Sequence, residues 1–340
     1  MTDTTRADAV LEALSLERQA ASARSFEDLF LRFQRRVACE TLTRPAGDPG
    51  PFDAQAFFAG WVDDERGLVG EERTRAFEWL AAECGFEVTA APGECRRPWG
   101  GGASAHRAVI ATIDGRRVLA DAGFPLPVLL PLDPPVRAIP TALGDLSSRV
   151  REDGRTEISC DARGEETDLL RLEVSGTRPA GHLEHEEDAA FALRVLDDRV
   201  LFWRKGRMTI LDSWSRLEYP LPASERAAIE KIFALELEGF LLSEEPLPDA
   251  PEPATLSVFH RSPVAPEEAR ERLGREALPL ILVTSREERV EAASGGSLIT
   301  IRATLADVPP AGPGEAVRKT LVFHLVSELF ELSRDGGRTG

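Results

Sequence analysis

The spacing of apolar residues changes at about Phe86, and this change sets the order in which helices and strands follow one another. Before it, apolar residues recur every three or four positions, as in Phe26, Leu29, Phe30 and Phe33. After it, strand-like runs cover 86–90, 106–113 and 116–124, and Asp114-Gly115 forms a two-residue hairpin turn between the last two. We therefore expect an α+β chain in which an N-terminal helical bundle is followed by an antiparallel, β-rich part.

Three helices are predicted before the change in spacing. The first lies within 7–43, where Ser25 with Asp28 resembles an N-terminal capping signal. The second covers 54–63 and the third about 71–84.

Changes in composition divide the chain into four parts. Residues 1–125 form a unit of helices and sheet, and 126–243 form a second, β-rich domain with a closing helix, because short strand-like runs alternate there with polar turns. The acidic, proline-rich residues 244–255 are interpreted as a linker. The remaining residues, 256–340, are enough for an extra small α+β domain, whose role the sequence does not indicate.

Charge and cysteine content exclude several classes of protein. Acidic residues outnumber basic ones by 58 to 41, and the formal net charge of −17 argues against nucleic-acid partners. No apolar run approaches the roughly 20 residues of a membrane span, and the polar N-terminus lacks a signal-peptide pattern. The four scattered cysteines fit neither a disulfide framework nor a zinc site. We expect a cytoplasmic protein that binds no metal, no membrane and no nucleic acid.

Four fragments of residues 1–125 follow the order of the motifs of a known enzyme family. They are VACETLT at 37–43, ERGLVGEE at 65–72, CGFEV at 84–88 and, after His106, LADAGF at 119–124. In this order they resemble the arylamine N-acetyltransferases, which have a papain-like fold. The corresponding family stretches are Pro-Phe-Glu-Asn-Leu, Arg-Gly-Gly-x-Cys-x-Glu, Gly-Phe-x-Val and Val-Asp-x-Gly-Phe. The resemblance is good over 20–125, continues more weakly to about 241, and does not cover the tail.

The resemblance implies acyl transfer through a catalytic triad. In that family a cysteine at the start of a helix takes an acyl group from a thioester, usually acetyl-CoA, and passes it to an amine. A histidine is the base, and an aspartate on the next strand orients it. His106 and Asp121 match these two roles. Because they lie on two strands joined by the Asp114-Gly115 turn, a cross-strand contact between them is expected.

The position of the family's nucleophilic cysteine is occupied here by Gly70, which has no nucleophile. Three explanations fit. In the first, Gly70 leaves space and His106 deprotonates an amine, alcohol or carbon acid for direct attack on the thioester. In the second, another cysteine has taken over: Cys39, which replaces a phenylalanine lining the family's site, or else Cys95, in the loop before His106. In the third, the site is inactive and the fold binds a small molecule or a protein.

The remaining site residues are expected around the vacated position. Candidates for substrate binding are Gly70, Glu71, Trp99, Gly100 and Phe124. The expected co-substrate is an acyl-CoA or a carrier-bound acyl thioester, with an acyl carrier protein as a possible partner, and no cofactor is expected to stay bound. Relatives of the family include amide-forming and macrocyclising enzymes, so the resemblance also allows a role in natural-product biosynthesis.

Overall fold

The structure, a computed structural model, describes residues 3–305 apart from several segments. Those segments are 44–51, 65, 97–102, 125, 127, 134–137, 142–143, 153–154, 163–164, 173–189, 197–198, 212–214, 239–253, 261–282 and 294–295. The predicted linker therefore lies almost entirely outside the described residues. Among those that are described, no helix is long and apolar enough to cross a membrane.

Five helices are present in the described residues: α1 (Asp3–Ala13), α2 (Ala23–Arg36), α3 (Ala54–Asp64), α4 (Gly70–Glu83) and α5 (Arg226–Phe233). The predictions for α3 and α4 are confirmed to within one residue. The predicted capping pair is wrong, because Ser22 is the N-cap of α2 and exchanges hydrogen bonds with Ser25 in the first turn. The predicted helix of 7–43 is two helices.

Sixteen strands are present in the described residues. They are β1 (Cys39–Glu40), β2 (Glu87–Arg96), β3 (Ala103–Ile113), β4 (Arg116–Ala120), β5 (Leu130–Pro131), β6 (Ile139–Thr141), β7 (Gly144–Val150), β8 (Thr156–Ala162), β9 (Glu165–Leu172), β10 (Phe191–Leu196), β11 (Arg199–Arg204), β12 (Arg207–Leu211), β13 (Ser215–Pro220), β14 (Ala254–His260), β15 (Val283–Ala293) and β16 (Gly296–Leu305). One sheet has the order β5-β4-β3-β2-β9-β8-β7-β6, and the second has the order β1-β10-β11-β12-β13-β14-β16-β15. All ladders between these strands are antiparallel, and the predicted α+β class is confirmed.

The hairpin of β3 and β4 forms at the predicted turn. Asp114 and Gly115 both have positive φ, of 51° and 74°, as a two-residue turn of this type requires. The register pairs Val109 with Ala120. This hairpin positions the two residues on which the sequence-based interpretation depends.

The first sheet lies between a layer of helices and the second sheet. Alternate residues of β3 point to opposite sides. Val109 and Ala111 pack against the aromatic residues of α2 and α4, whereas Ala108 and Ile110 join a core shared with β10 and β11 of the second sheet. A third core lies between α5 and the second sheet.

The strands of 126–243 are divided between both sheets: β5–β9 extend the first, and β10–β13 build the second. From the tail, β14 pairs with β13, so β14–β16 add to the second sheet. The domain boundaries themselves stay a prediction.

Candidate active site

His106 and Asp121 form a buried pair at the open end of the β3–β4 hairpin. Asp121 follows directly after β4, and its Oδ2 lies 2.7 Å from Nε2 of His106. Its other oxygen, Oδ1, accepts a hydrogen bond of 2.8 Å from the backbone N–H of Phe124. Asp121 has no exposed surface and His106 keeps 7%. The structure therefore brings the two residues together as the hairpin spacing predicted.

The electrostatic surroundings keep His106 protonated. Burial lowers its pKa, but the charge of Asp121 and its hydrogen bond raise it, and interaction with Cys95 raises it further, to about 10. At neutral pH the ring is therefore an imidazolium, and both of its nitrogens are donors. His106 can give a proton to a leaving group, and it can accept one only after losing its own.

Cys95 lies on a strand next to His106 and not in a loop. β2 continues through Pro92 and Gly93 to Arg96, and Gly93 is the partner of His106 in the ladder. Cys95 is two positions further along, so its side chain is on the same face of the sheet as His106. Interaction with the Cys95 side chain is among the causes that raise the pKa of His106.

Cys39, the first of the two cysteines considered from the sequence, lies on β1. It is buried in the same core as Cys95. Cys39 and Asp121 are both close enough to Arg73 to favour its charged form. Burial lowers the pKa of Arg73 to about 10, against the effect of these two groups. Arg73 therefore stays charged at neutral pH and brings a positive charge to the back of the site.

Arg73 was missed by the sequence-based interpretation. It is fully buried and donates hydrogen bonds to four oxygens: to the carbonyls of Ala122 and Val37, both at 2.6 Å, and to Oε1 and the carbonyl oxygen of Gln34 at 2.9 and 3.5 Å. Arg73 precedes Phe77, on the buried face of α4, by four positions. Helical spacing therefore contained a signal that this arginine points inward.

Gln34, on α2, was missed as well. Its Nε2 donates to the carbonyls of Asp121 at 2.9 Å and Leu126 at 3.2 Å. Gln34 and Arg73 together attach the backbone of the turn that contains Asp121 to α2 and α4. The orientation of the carboxylate is thus determined by α2 and α4 as well as by the hairpin.

A side chain at position 70 would have little room. A Cβ at this position would lie 2.8 Å from the carbonyl oxygen of Gly123. A Cβ at Gly123 would lie 2.5 Å from Oγ1 of Thr74 and 3.1 Å from Cε1 of His106. The start of α4 and the turn after β4 therefore touch backbone to backbone.

Of the other residues predicted to bind substrate, only Phe124 and Glu71 lie among the described residues. Phe124 packs edge-on against His106, with ring centroids 6.5 Å apart. Glu71 forms an ion pair of 2.6 Å with Arg75, one turn further along α4. Trp99 and Gly100 lie outside the described residues. Among the described residues, no three His, Cys, Asp or Glu side chains are grouped as a metal site would need.

Two of the residues that carry the family resemblance contact each other. Glu40 is buried and accepts hydrogen bonds from the N–H of Thr43 at 2.8 Å and from its Oγ1. Burial raises the pKa of this carboxyl, in spite of these bonds. A Cβ at Gly67 would lie only 2.2 Å from Cγ of Glu40, so the glycine at position 67 makes room for the buried acid.

Comparisons with known proteins agree with this architecture. Residues 23–175 match a family model described as N-acetyltransferase. Among solved structures, the chain is similar to the arylamine N-acetyltransferase of Salmonella typhimurium, with 16% identity, 69% of this chain and 92% of that chain covered, and a TM-score of 0.57. No curated protein matches the sequence.

Two further structures give the same result. The arylamine N-acetyltransferase of Nocardia farcinica has 19% identity, 68% of this chain and 89% of that chain covered, and a TM-score of 0.58. The Mycobacterium marinum enzyme, solved in complex with CoA, has 19% identity, 67% and 92% covered, and a TM-score of 0.55. At these identities the likeness shows a shared fold.

Proposed function

We propose that this N-acetyltransferase-like chain, whose residues 23–175 match the family model, transfers an acyl group from a thioester to an amine at the His106–Asp121 pair. The observation that carries the proposal is this buried pair, at the end of a hairpin in an arylamine N-acetyltransferase fold. A histidine held by a buried carboxylate is the usual means of moving protons in acyl transfer.

The donor is a thioester of CoA or of an acyl carrier protein, and the product is an amide or a related condensation product. A CoA thioester is supported by the neighbouring structure from Mycobacterium marinum, which holds CoA. The leaving group of such a donor is a thiolate, and His106 carries the proton that this thiolate needs. The proposed setting is the cytoplasm, with natural-product biosynthesis as the wider role.

In the route without a cysteine, neutral His106 deprotonates the amine as it attacks the thioester. With a pKa of about 10, only about one ring in a thousand is neutral at pH 7, three pH units lower. Transfer by this route should therefore accelerate about tenfold per pH unit until pH 10. This pH dependence separates the direct route from one in which the protonated ring is the active form.

The test is amide formation from acetyl-CoA, or from longer acyl-CoA donors, with a panel of amines. His106→Gln keeps an N–H that can face Asp121 but cannot exchange protons, and we expect a rate at least 100-fold lower. Arg116→Ala changes an exposed residue at the far end of the same hairpin and serves as the matched control. Wild-type rates in folded His106→Gln would contradict the proposal.

The alternative function is that of an inactive homologue that binds a small molecule or a protein. The contact between Gly70 and Gly123 favours it, because the backbone fills the place of the family's nucleophile. Saturable binding of acyl-CoA, measured by calorimetry, with no amide formed from any donor, would support this alternative over the enzyme.

A further inference from the structure

Three neighbouring strands present a thiol, an imidazole and a carboxylate on one face of the first sheet. β2, β3 and β4 are adjacent in the order of the sheet, and they bring together Cys95, His106 and Asp121. Gly93, directly opposite His106 in the ladder, has no side chain to separate the ring from Cys95. The residues thus follow one another in the order thiol, imidazole, carboxylate, which is the order of a nucleophile, its proton carrier and the group that orients the carrier.

The two sides of the imidazole have different partners. Asp121 lies 2.7 Å from Nε2, whereas Cys95 lies on the other neighbouring strand, on the same face of the sheet as the ring, and is among the causes that raise the pKa of His106. A protonated ring donates in both directions, so the arrangement suits a thiolate at Cys95. A thiol beside an imidazolium ionises readily, and the thiolate is the reactive form.

Cys160 is a second buried thiol with which Cys95 can be compared in the same protein. It is also buried, in the same core between the sheets. Burial raises its pKa to about 12, with smaller contributions from the charges of Asp161 and Asp145. This thiol is therefore protonated and unreactive at neutral pH. The difference between Cys95 and Cys160 lies in the neighbouring group, an imidazolium in one case and carboxylates in the other.

We infer that Cys95 is the nucleophile that carries the acyl group in this chain, on the opposite side of His106 from Asp121. This inference rests on the proposed function and identifies the residue that carries the acyl group in the proposed reaction. The thiol has moved from the start of α4, where Gly70 and Gly123 leave no room, to the strand next to that of His106.

The transfer is balanced with a thioester and an amine as the only reactants. The Cys95 thiolate attacks the thioester carbonyl, a bond from Sγ to the acyl carbon forms, and the bond from that carbon to the donor's sulfur breaks. The departing thiolate takes the proton of His106. The amine then attacks the acyl group on Cys95, its proton passes to His106, and the Cys95 thiolate is released as the amide forms.

The first experiment looks for the acyl group on the protein. Wild type is mixed with acetyl-CoA without an amine, quenched in acid, digested and analysed by mass spectrometry. We expect one acetyl group, on the peptide that contains Cys95, and its loss when an amine is added. Cys95→Ala and Cys95→Ser should both lose at least 100-fold in amide formation, while Cys160→Ala should keep the wild-type rate.

The second experiment needs no acyl transfer. The alkylation of each cysteine by iodoacetamide is followed at pH 7, with Cys160 as the reference inside the same protein. Cys95 should react at least tenfold faster than Cys160, and His106→Gln should remove this advantage. A purely structural Cys95 would react as slowly as Cys160, with or without His106.

The outcomes separate this inference from the proposed function. Amide formation that survives Cys95→Ala, or acetyl mass on Cys39, would overturn the inference and leave the function in place. The absence of amide formation in wild type with every donor would overturn both. Equal alkylation of Cys95 and Cys160 in active wild type would overturn the inference alone.

Discussion

Adding a side chain at position 70 tests whether the start of α4 has room for one. In Gly70→Ala, the new Cβ would lie 2.8 Å from the carbonyl oxygen of Gly123. Carbon–oxygen contacts in proteins are about 3.3 Å or longer, so the start of α4 and the turn after β4 have to separate by roughly 0.5 Å. Both segments are backbone, and neither can rotate away as a side chain would.

The expected loss of stability follows from this displacement. Overpacking a close contact costs about 1–3 kcal/mol, and replacing a helical glycine recovers at most about 1 kcal/mol. We therefore expect Gly70→Ala to lower the free energy of unfolding by about 1–2 kcal/mol. Gly70→Cys should lose as much, since it adds the same Cβ, and should form amide no faster than wild type.

The assay is urea unfolding of wild type, Gly70→Ala and Gly70→Cys at one pH, followed by amide formation with each. Gly85→Ala is a poor control because φ is +85° there, a conformation that is strained for alanine. Arg116→Ala is therefore the control in this assay as well. Gly70→Cys with wild-type stability and faster amide formation would refute the reasoning. It would show that the start of α4 still accommodates a nucleophile.

Three further predictions concern the groups around the pair. Burial lowers the pKa of His106, but Asp121 and, further, Cys95 raise it from 6.5 to about 10, so this contribution to stability is fully present below pH 6.5 and is lost as pH rises towards 10. This contribution is at most about 5 kcal/mol. The free energies of unfolding of wild type and His106→Gln, measured in urea from pH 6 to 10, should therefore converge as pH rises. A difference between the two proteins that stays constant with pH would contradict it. Arg73→Met leaves two carbonyl oxygens without their donor, so thermal unfolding should show a loss of about 3 kcal/mol or more, and an unchanged melting temperature would be the contrary result. Thr74→Val removes the hydrogen bonds of Oγ1 to the carbonyls of Gly70 and Arg107. We expect it to lower the free energy of unfolding in urea by about 1–2 kcal/mol. A decrease of less than about 0.3 kcal/mol would show that these bonds do not stabilise the fold.

Local signals were enough to predict much of the fold. The phenylalanines of α2 follow helical spacing, and the Asp114-Gly115 turn sets the register of β3 and β4. That register in turn brings His106 to Asp121. These features depend on residues close together in sequence, where spacing and turn type determine geometry.

Contacts between distant segments could not be predicted in the same way. Pro92 and Gly93 are typical of a loop, because proline and glycine weaken strands, yet β2 continues through them and brings Cys95 to His106. Gly70 and Gly123 meet only after α4 has packed on the hairpin. Spacing along the chain therefore predicted the His106–Asp121 contact, whereas tertiary packing determines that Cys95 lies on the strand next to His106.

The most direct test of the account is the number of amide molecules formed per molecule of thioester consumed, measured with isotope-labelled acetyl-CoA at pH 7. Wild type should form one amide for each thioester, and His106→Gln should be at least 100-fold slower with the same folded fraction. The absence of labelled amide in wild type, or equal rates in the two proteins, would contradict acyl transfer at the His106–Asp121 pair.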